Sequence, residues 1–185
     1  MNFSDSDFSL FLTALQFAAE RHRDQRRKDS SASPYINHPI QVAELMWRVG
    51  GVREITTLLA GLLHDTVEDT ATRPDEIRDL FGQAVLSLVM EVTDDKRLPK
   101  AERKRLQIVN APHKSRAARQ IKLADKASNV RDITQSPPAN WSLERKREYL
   151  NWSEQVVNGL RGLNPELEAY YDQVLAEGRA ILLQE

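Results

Sequence analysis

Apolar positions recur every three or four residues along almost the whole chain, and the recurrence breaks where proline, glycine or serine cluster. Phe8, Phe11, Leu12, Leu15, Ala18 and Ala19 predict a first amphipathic helix over residues 7–26, followed by a loop at KDSSASP. Pro39 suits the first turn of a second helix, whose buried stripe is Val42, Leu45, Met46 and Val49; Gly50-Gly51 ends it. The run TTLLAGLLH is apolar nearly all round, which predicts the central helix of the domain over residues 55–68. Thr72, Pro74, Asp75 and Glu76 open a short helix ending near Phe81-Gly82, and another covers 84–92. A charged loop, TDDKRLPK, leads into a helix over 101–110. Ser115 caps a long helix over 116–133 with Ala117, Ile121, Ala124 and Ser128 inward, and Pro137-Pro138 marks the connection after it. Ser142 caps a helix carrying Tyr149, Trp152, Val156 and Val157, which stops at Gly159 or Gly162; Pro165 opens the last, ending near Leu183. With no strand alternation and no internal repeat, the pattern predicts an all-α fold, one domain of roughly eight helices spanning residues 1–185.

Composition narrows the function more than the fold. A hydrophobic fraction of 41% against 29% charged is that of a folded, soluble domain. The net charge of -1 provides no global attraction to nucleic acid or an anionic membrane, so any anion site must come from local clustering. The absence of cysteine removes disulfides, thiolate metal sites and thiol nucleophiles, and fits a cytoplasmic location. The N-terminal stretch reads as an amphipathic helix rather than a signal peptide, and no apolar run approaches a membrane span. The expected partner is a small molecule; oligomeric state is not specified.

Candidate chemistry lies in four separated residues: His38, the adjacent pair His64-Asp65, and Asp125. Two imidazoles and two carboxylates suit one divalent cation and leave positions for water. A lone histidine is usually a hydrogen-bonded structural residue, and His22 and His113 are read that way. Asp65 and Asp125 are different, because they follow the apolar runs LLAGLL and IKLA, where an unpaired carboxylate is costly. Neighbours on a helix project about 100° apart, so a cation meeting both His64 and Asp65 would lie at the helix end or over one flank. Glu68 and Asp69 stand four residues after His64 and Asp65, placed to orient and deprotonate an attacking water. Asn129 stands four after Asp125, and Arg26-Arg27-Lys28 precede His38. Trp47, Trp141 and Trp152 read as packing residues. Together these features predict hydrolysis of a phosphorylated small molecule.

Four segments in order, QRRKDSSASPYINHPIQVA, LLAGLLHDTVEDT, TDDKRLPKAERKR and IKLADKASNVRD, resemble the HD-type phosphohydrolases. More narrowly they resemble the hydrolase domain of the RelA/SpoT alarmone enzymes and their single-domain relatives; WSLERKREYLNWSEQVVNGL extends the likeness to residue 160. The resemblance implies that His38, His64, Asp65 and Asp125 hold one Mn²⁺ and that Glu68 and Asp69 act on the water. It implies that Arg27 and Lys28 pack against a purine, that Asn129 contacts the ribose or the water network, and that Lys100, Arg145 and Tyr149 surround the nucleotide and its distal phosphates. The implied reaction removes the 3′-pyrophosphate of guanosine tetra- and pentaphosphate. Adenosine alarmones and the 2′-phosphate of NADPH are alternative substrates, and a noncatalytic alarmone-binding protein is a rival of another class. No alarmone synthesis is expected, since the chain lacks the additional length of the fused synthetases.

Overall fold

The computed structural model describes residues 4–184. Its elements are α1 (Asp5–Arg21), α2 (Asn37–Arg48), α3 (Ile55–Leu63), α4 (Thr66–Asp69), α5 (Pro74–Phe81), α6 (Gln83–Val92), α7 (Lys100–Asn110), a 3₁₀ turn (Ala111–His113), α8 (Arg116–Gln135), α9 (Leu143–Asn158) and α10 (Pro165–Gln184). Among these residues there is no sheet, only two isolated bridges, Arg26 to Pro34 and Asp29 to Pro138. The fold is all-α, as the periodicity predicts.

Capping chemistry sets several boundaries. Ser4 and Asp7 form a reciprocal capping box at the start of α1. Ser115 and Ser142 accept from the backbone N–H groups of Ala118 and Arg145, and Pro74 occupies the first turn of α5. Gly82, at φ 88°, turns the chain between α5 and α6 in a conformation that disfavours any side chain.

Two helices form the centre. In α3, seven of nine residues from Thr57 onward are buried, and α1, α2, α6 and α8 pack around it. The second is α8, whose residues 120–128 are all buried beneath α2, α6, α9 and α10. Periodicity does not single out α8 as central, because Lys122, Asp125, Lys126 and Ser128 interrupt its apolar run. Of those buried polar groups, Asp125 and Ser128 meet His38 and Lys126 meets Asp125, so three of them gather at one site.

Three details differ from expectation. The first helix ends at Arg21, not residue 26, because the chain turns at His22, whose carbonyl accepts from the Gln25 N–H at 3.0 Å. Its buried face is centred on Ala14 and Ala18, small residues that allow close approach to α3, while Phe8 and Leu12 are exposed. The helix expected over 55–68 is broken at His64-Asp65. There the Thr66 hydroxyl donates to the Leu63 carbonyl at 2.7 Å and the His64 ring bonds the Gly61 carbonyl at 2.7 Å, so side chains satisfy carbonyls at the end of α3. A smaller shift of phase buries Ala118 in α8 where Ala117 was expected.

Candidate active site

The break after α3 brings the sequence neighbours His64 and Asp65 to one side. The ligand atoms of His38, His64 and Asp65 lie within 4.8 Å of one another, a group able to coordinate a divalent ion. Asp125, from α8, stands outside that tighter group but faces it, with Oδ1 3.2 Å from His38 Nε2 and 4.0 Å from His64 Nε2. Two carboxylates repel when no cation lies between them.

Hydrogen bonds orient both imidazoles. A carbonyl can only accept, so His64 Nδ1 donates to Gly61 and leaves Nε2 facing the carboxylates. The Ser128 hydroxyl donates to Gln41 Oε1 at 3.1 Å and therefore accepts from His38 Nδ1 at 3.2 Å, which presents His38 Nε2 to the same space. His64 Nε2 is buried without a hydrogen-bond partner, although Asp65 Oδ2 is 3.1 Å away. An orphaned ring nitrogen among carboxylates is the environment of a metal ligand, so the donor set fits a divalent cation.

Electrostatics agree. Burial disfavours the charge on Asp125, yet Lys126, then His38 and His64, hold its carboxyl well below the usual range. Burial likewise opposes charge on Asp65, and the neighbouring His64 and His38 lower its pKa nonetheless. The site is thus a buried concentration of negative charge facing two ring nitrogens.

The carboxylates after the break point to two different cavities. Asp69 lines a cavity of about 430 Å³ together with Arg27, Lys28, Tyr35, Asn129, Asp132, Trp141 and Tyr149. Glu68 lines a second, of about 470 Å³, where Lys28, Lys96, Lys100, Arg103, Lys104 and Arg145 outnumber Glu68, Asp94 and Glu148. Lys28, Lys96, Trp141 and Tyr149 line both. Burial raises the pKa of Glu68, the Asp94 N–H that it accepts at 2.9 Å opposes this, and the charges of Asp94 and Asp65 add to the rise. Lys96 forms a short ion pair with Asp69 Oδ1 and lies 3.8 Å from Glu68 Oε1. Crowding in the basic cavity is visible at Lys104, whose pKa is lowered by burial and by Lys100. Both cavities have aromatic walls, Tyr35, Trp141 and Tyr149 in the first and Trp141, Tyr149 and Trp152 in the second, but the second has the larger surplus of positive charge.

All six residues expected to touch substrate, Arg27, Lys28, Lys100, Asn129, Arg145 and Tyr149, line one cavity or both. The Asn129 side chain is already engaged: its Nδ2 donates to Asp125 Oδ1 at 2.6 Å, and its Oδ1 accepts from Arg27 Nη2 at 3.3 Å. Arg27 is fixed further by Asp132 at 2.6 Å. Trp141, read from sequence as packing, instead lies before α9 on the wall of both cavities, with the Arg145 guanidinium 4.4 Å from its ring centre. His22 is buried, bonded to Gln25 at 2.6 Å and packed on Tyr35, while His113 is exposed outside these cavities. Sequence reasoning missed Lys96 among the residues common to both cavities, and Tyr35 as the donor to Asp65. The positive charge within an acidic loop was the available signal for Lys96; nothing in the local pattern pointed to the Tyr35 contact.

An all-helical domain that gathers His38, His64 and Asp65 into a group able to hold a divalent ion, linked through Tyr35 to a cavity wall, is a helical domain with a candidate metal centre. The chain belongs to the HD-domain family, whose model matches residues 14–151. It is 52% identical over 172 residues to the guanosine-3′,5′-bis(diphosphate) 3′-pyrophosphohydrolase MESH1 of Xenopus tropicalis, covering 93% of this chain and 96% of that one. The human MESH1 is 53% identical over 163 residues, with 88% and 91% covered. Among solved structures, a metazoan orthologue of SpoT, described as hydrolysing ppGpp and acting in starvation responses, superimposes with a TM-score of 0.91 at 43% identity, covering 98% of this chain and 99% of that one. Among the described residues, no helix is long and apolar enough to cross a membrane.

Proposed function

We propose that this protein hydrolyses the 3′-pyrophosphate of guanosine tetra- and pentaphosphate, releasing pyrophosphate and GDP or GTP, with Mn²⁺ held by His38, His64, Asp65 and Asp125. The observation that carries the reading is that Asp69 and Glu68, neighbours in the chain, line two adjoining cavities that share Lys28, Lys96, Trp141 and Tyr149, the second with a surplus of positive charge suited to polyphosphate. The MESH1 proteins and the SpoT orthologue, similar over nearly the whole chain, support the substrate class.

A bound divalent cation supplies an acidified water and neutralises charge on phosphate oxygens. The protein's residues do the rest. Arg27, held by Asp132 and Asn129, offers its guanidinium to a purine and to phosphate. Lys100, Arg103, Lys104 and Arg145 offset the polyphosphate charge in the second cavity. Glu68 and Asp69 orient the attacking water and take its proton. Lys96 holds Asp69 in place and lines both cavities. Attack on the phosphorus bonded to the ribose 3′ oxygen breaks the bond to that oxygen, which takes up the proton removed from the water and becomes the 3′-hydroxyl of GDP or GTP, while the pyrophosphate so formed lies beside the basic side chains.

The test is incubation of purified protein with Mn²⁺ and labelled guanosine tetraphosphate. Pyrophosphate release is expected; none at micromolar enzyme overturns the reading. Rates on a matched panel with the adenosine alarmone and NADPH establish base and phosphate preference, since guanidinium stacking is nearly indifferent to the purine.

A further inference from the structure

Lys126 is a buried cation adjoining the candidate ligand Asp125, yet it lines neither cavity described above. Consecutive residues of a helix diverge by about 100°, but the lysine stem bends back and Nζ donates to Asp125 Oδ2 at 2.9 Å. The other carboxylate oxygen, Oδ1, accepts from Asn129 Nδ2 at 2.6 Å and lies 3.2 Å from His38 Nε2. The two oxygens of Asp125 therefore have separate duties: Oδ1 faces the imidazoles, and Oδ2 is occupied by an ammonium.

The ammonium has little freedom to leave. Its Nζ lies 4.8 Å from the centre of the Trp152 ring. Trp152 is itself fixed, donating from Nε1 to the Lys104 carbonyl at 3.1 Å and meeting Tyr149 edge-on at 5.2 Å between centres. Trp152 of α9, bonded to α7, thus backs one side chain of α8 whose ammonium meets a carboxylate.

We propose that Lys126 is a positioning residue that confines Asp125 to coordination through a single oxygen, and so keeps a coordination position open for water. The proposal rests on the metal-dependent reading above. A carboxylate with both oxygens free can chelate a divalent ion through both, which fills a position that water would otherwise hold. An ammonium on Oδ2 prevents that, and the Asn129 amide sets the angle of Oδ1.

The experiment uses the full chain loaded with Mn²⁺ in wild-type, Lys126→Met and Lys126→Arg forms. Water-proton relaxation counts the exchangeable waters on the ion, and electron paramagnetic resonance titration provides its dissociation constant. The methionine variant should still bind Mn²⁺, with about one exchangeable water fewer and turnover reduced about 10- to 100-fold. The arginine variant should restore the wild-type hydration. A methionine variant with wild-type hydration overturns the proposal, whatever its turnover. If that variant fails to fold, Lys126→Gln is measured in the same way; failure of both neutral variants gives the lysine a structural role and also overturns the proposal. Wild-type protein that neither binds Mn²⁺ nor releases pyrophosphate fails the parent reading instead, so the two failures are distinguishable.

Discussion

The Tyr35 hydroxyl donates to Asp65 Oδ2 at 2.6 Å, joining the loop after α1 to the break after α3. Burial raises the pKa of this phenol, and the charge of Asp65 raises it further, so Tyr35 is a neutral donor across the working pH range. Its ring also packs against His22 and His38 at centre distances of 4.9 and 5.9 Å. Tyr35→Phe keeps those ring contacts and removes only the donor. A hydrogen bond to a charged group contributes about 1.5–3 kcal/mol, so Mn²⁺ affinity or turnover should fall about 10- to 100-fold, with a lowered melting temperature for the metal-free protein. Wild-type affinity and turnover in this variant would show that Asp65 is placed without the phenol.

Metal binding and chemistry should separate by mutation. Asp65→Ala and Asp125→Ala each remove a charged candidate ligand and should lose Mn²⁺ and turnover together. Glu68→Gln combined with Asp69→Asn should retain Mn²⁺ and lose about 10²–10⁴-fold in kcat, since amides still donate and accept hydrogen bonds. Metal content by mass spectrometry, measured beside kcat on guanosine tetraphosphate, checks both. A metal-loaded double variant with near wild-type kcat would remove the two carboxylates from the chemistry.

Stability of the metal-free protein should depend on pH in a defined window. Burial works against charge on His64, but Asp65 and then Asp125 override it and raise its pKa from 6.5 to about 9. A group whose pKa is raised by folding contributes stability that is fully present below its unfolded value and is lost as pH rises through the folded one. Asp65 and Asp125, with lowered pKa values, remain charged throughout. The melting temperature of metal-free protein should therefore fall between pH 6.5 and about 9, whereas metal-loaded protein should hold its value. A flat metal-free curve refutes the linkage.

Arg27 tests the nucleoside cavity. It is held at 2.6 Å by Asp132, and neither side chain is well exposed. Arg27→Ala should raise KM for guanosine tetraphosphate by about 10- to 100-fold, the scale of a hydrogen bond to a charged group, with Mn²⁺ content unchanged. Arg27→Lys should not restore KM, because an ammonium cannot reproduce a planar guanidinium. Steady-state kinetics on both variants decides; rescue by lysine would mean that only the charge matters.

Local sequence determined the helical elements and the chemical inventory of the site. Three-and-four spacing, Pro39 and Pro74, the Ser115 and Ser142 caps and the apolar run before His64 are all effects within a few residues, so they can be read along the chain. HDTVED and LADKASN likewise hold their chemistry in consecutive positions. Tertiary structure alone decided how those pieces meet. The break at His64-Asp65 appears only with the Gly61 and Leu63 carbonyls satisfied by side chains. The Arg27–Asp132 and Tyr35–Asp65 contacts join residues 105 and 30 positions apart. Trp141 looked like a packing residue because aromatic character is the same on a cavity wall as in a core. The central position of α8 was obscured because its buried Asp125, Lys126 and Ser128 satisfy one another and distant partners, a pairing that hydrophobic periodicity does not record.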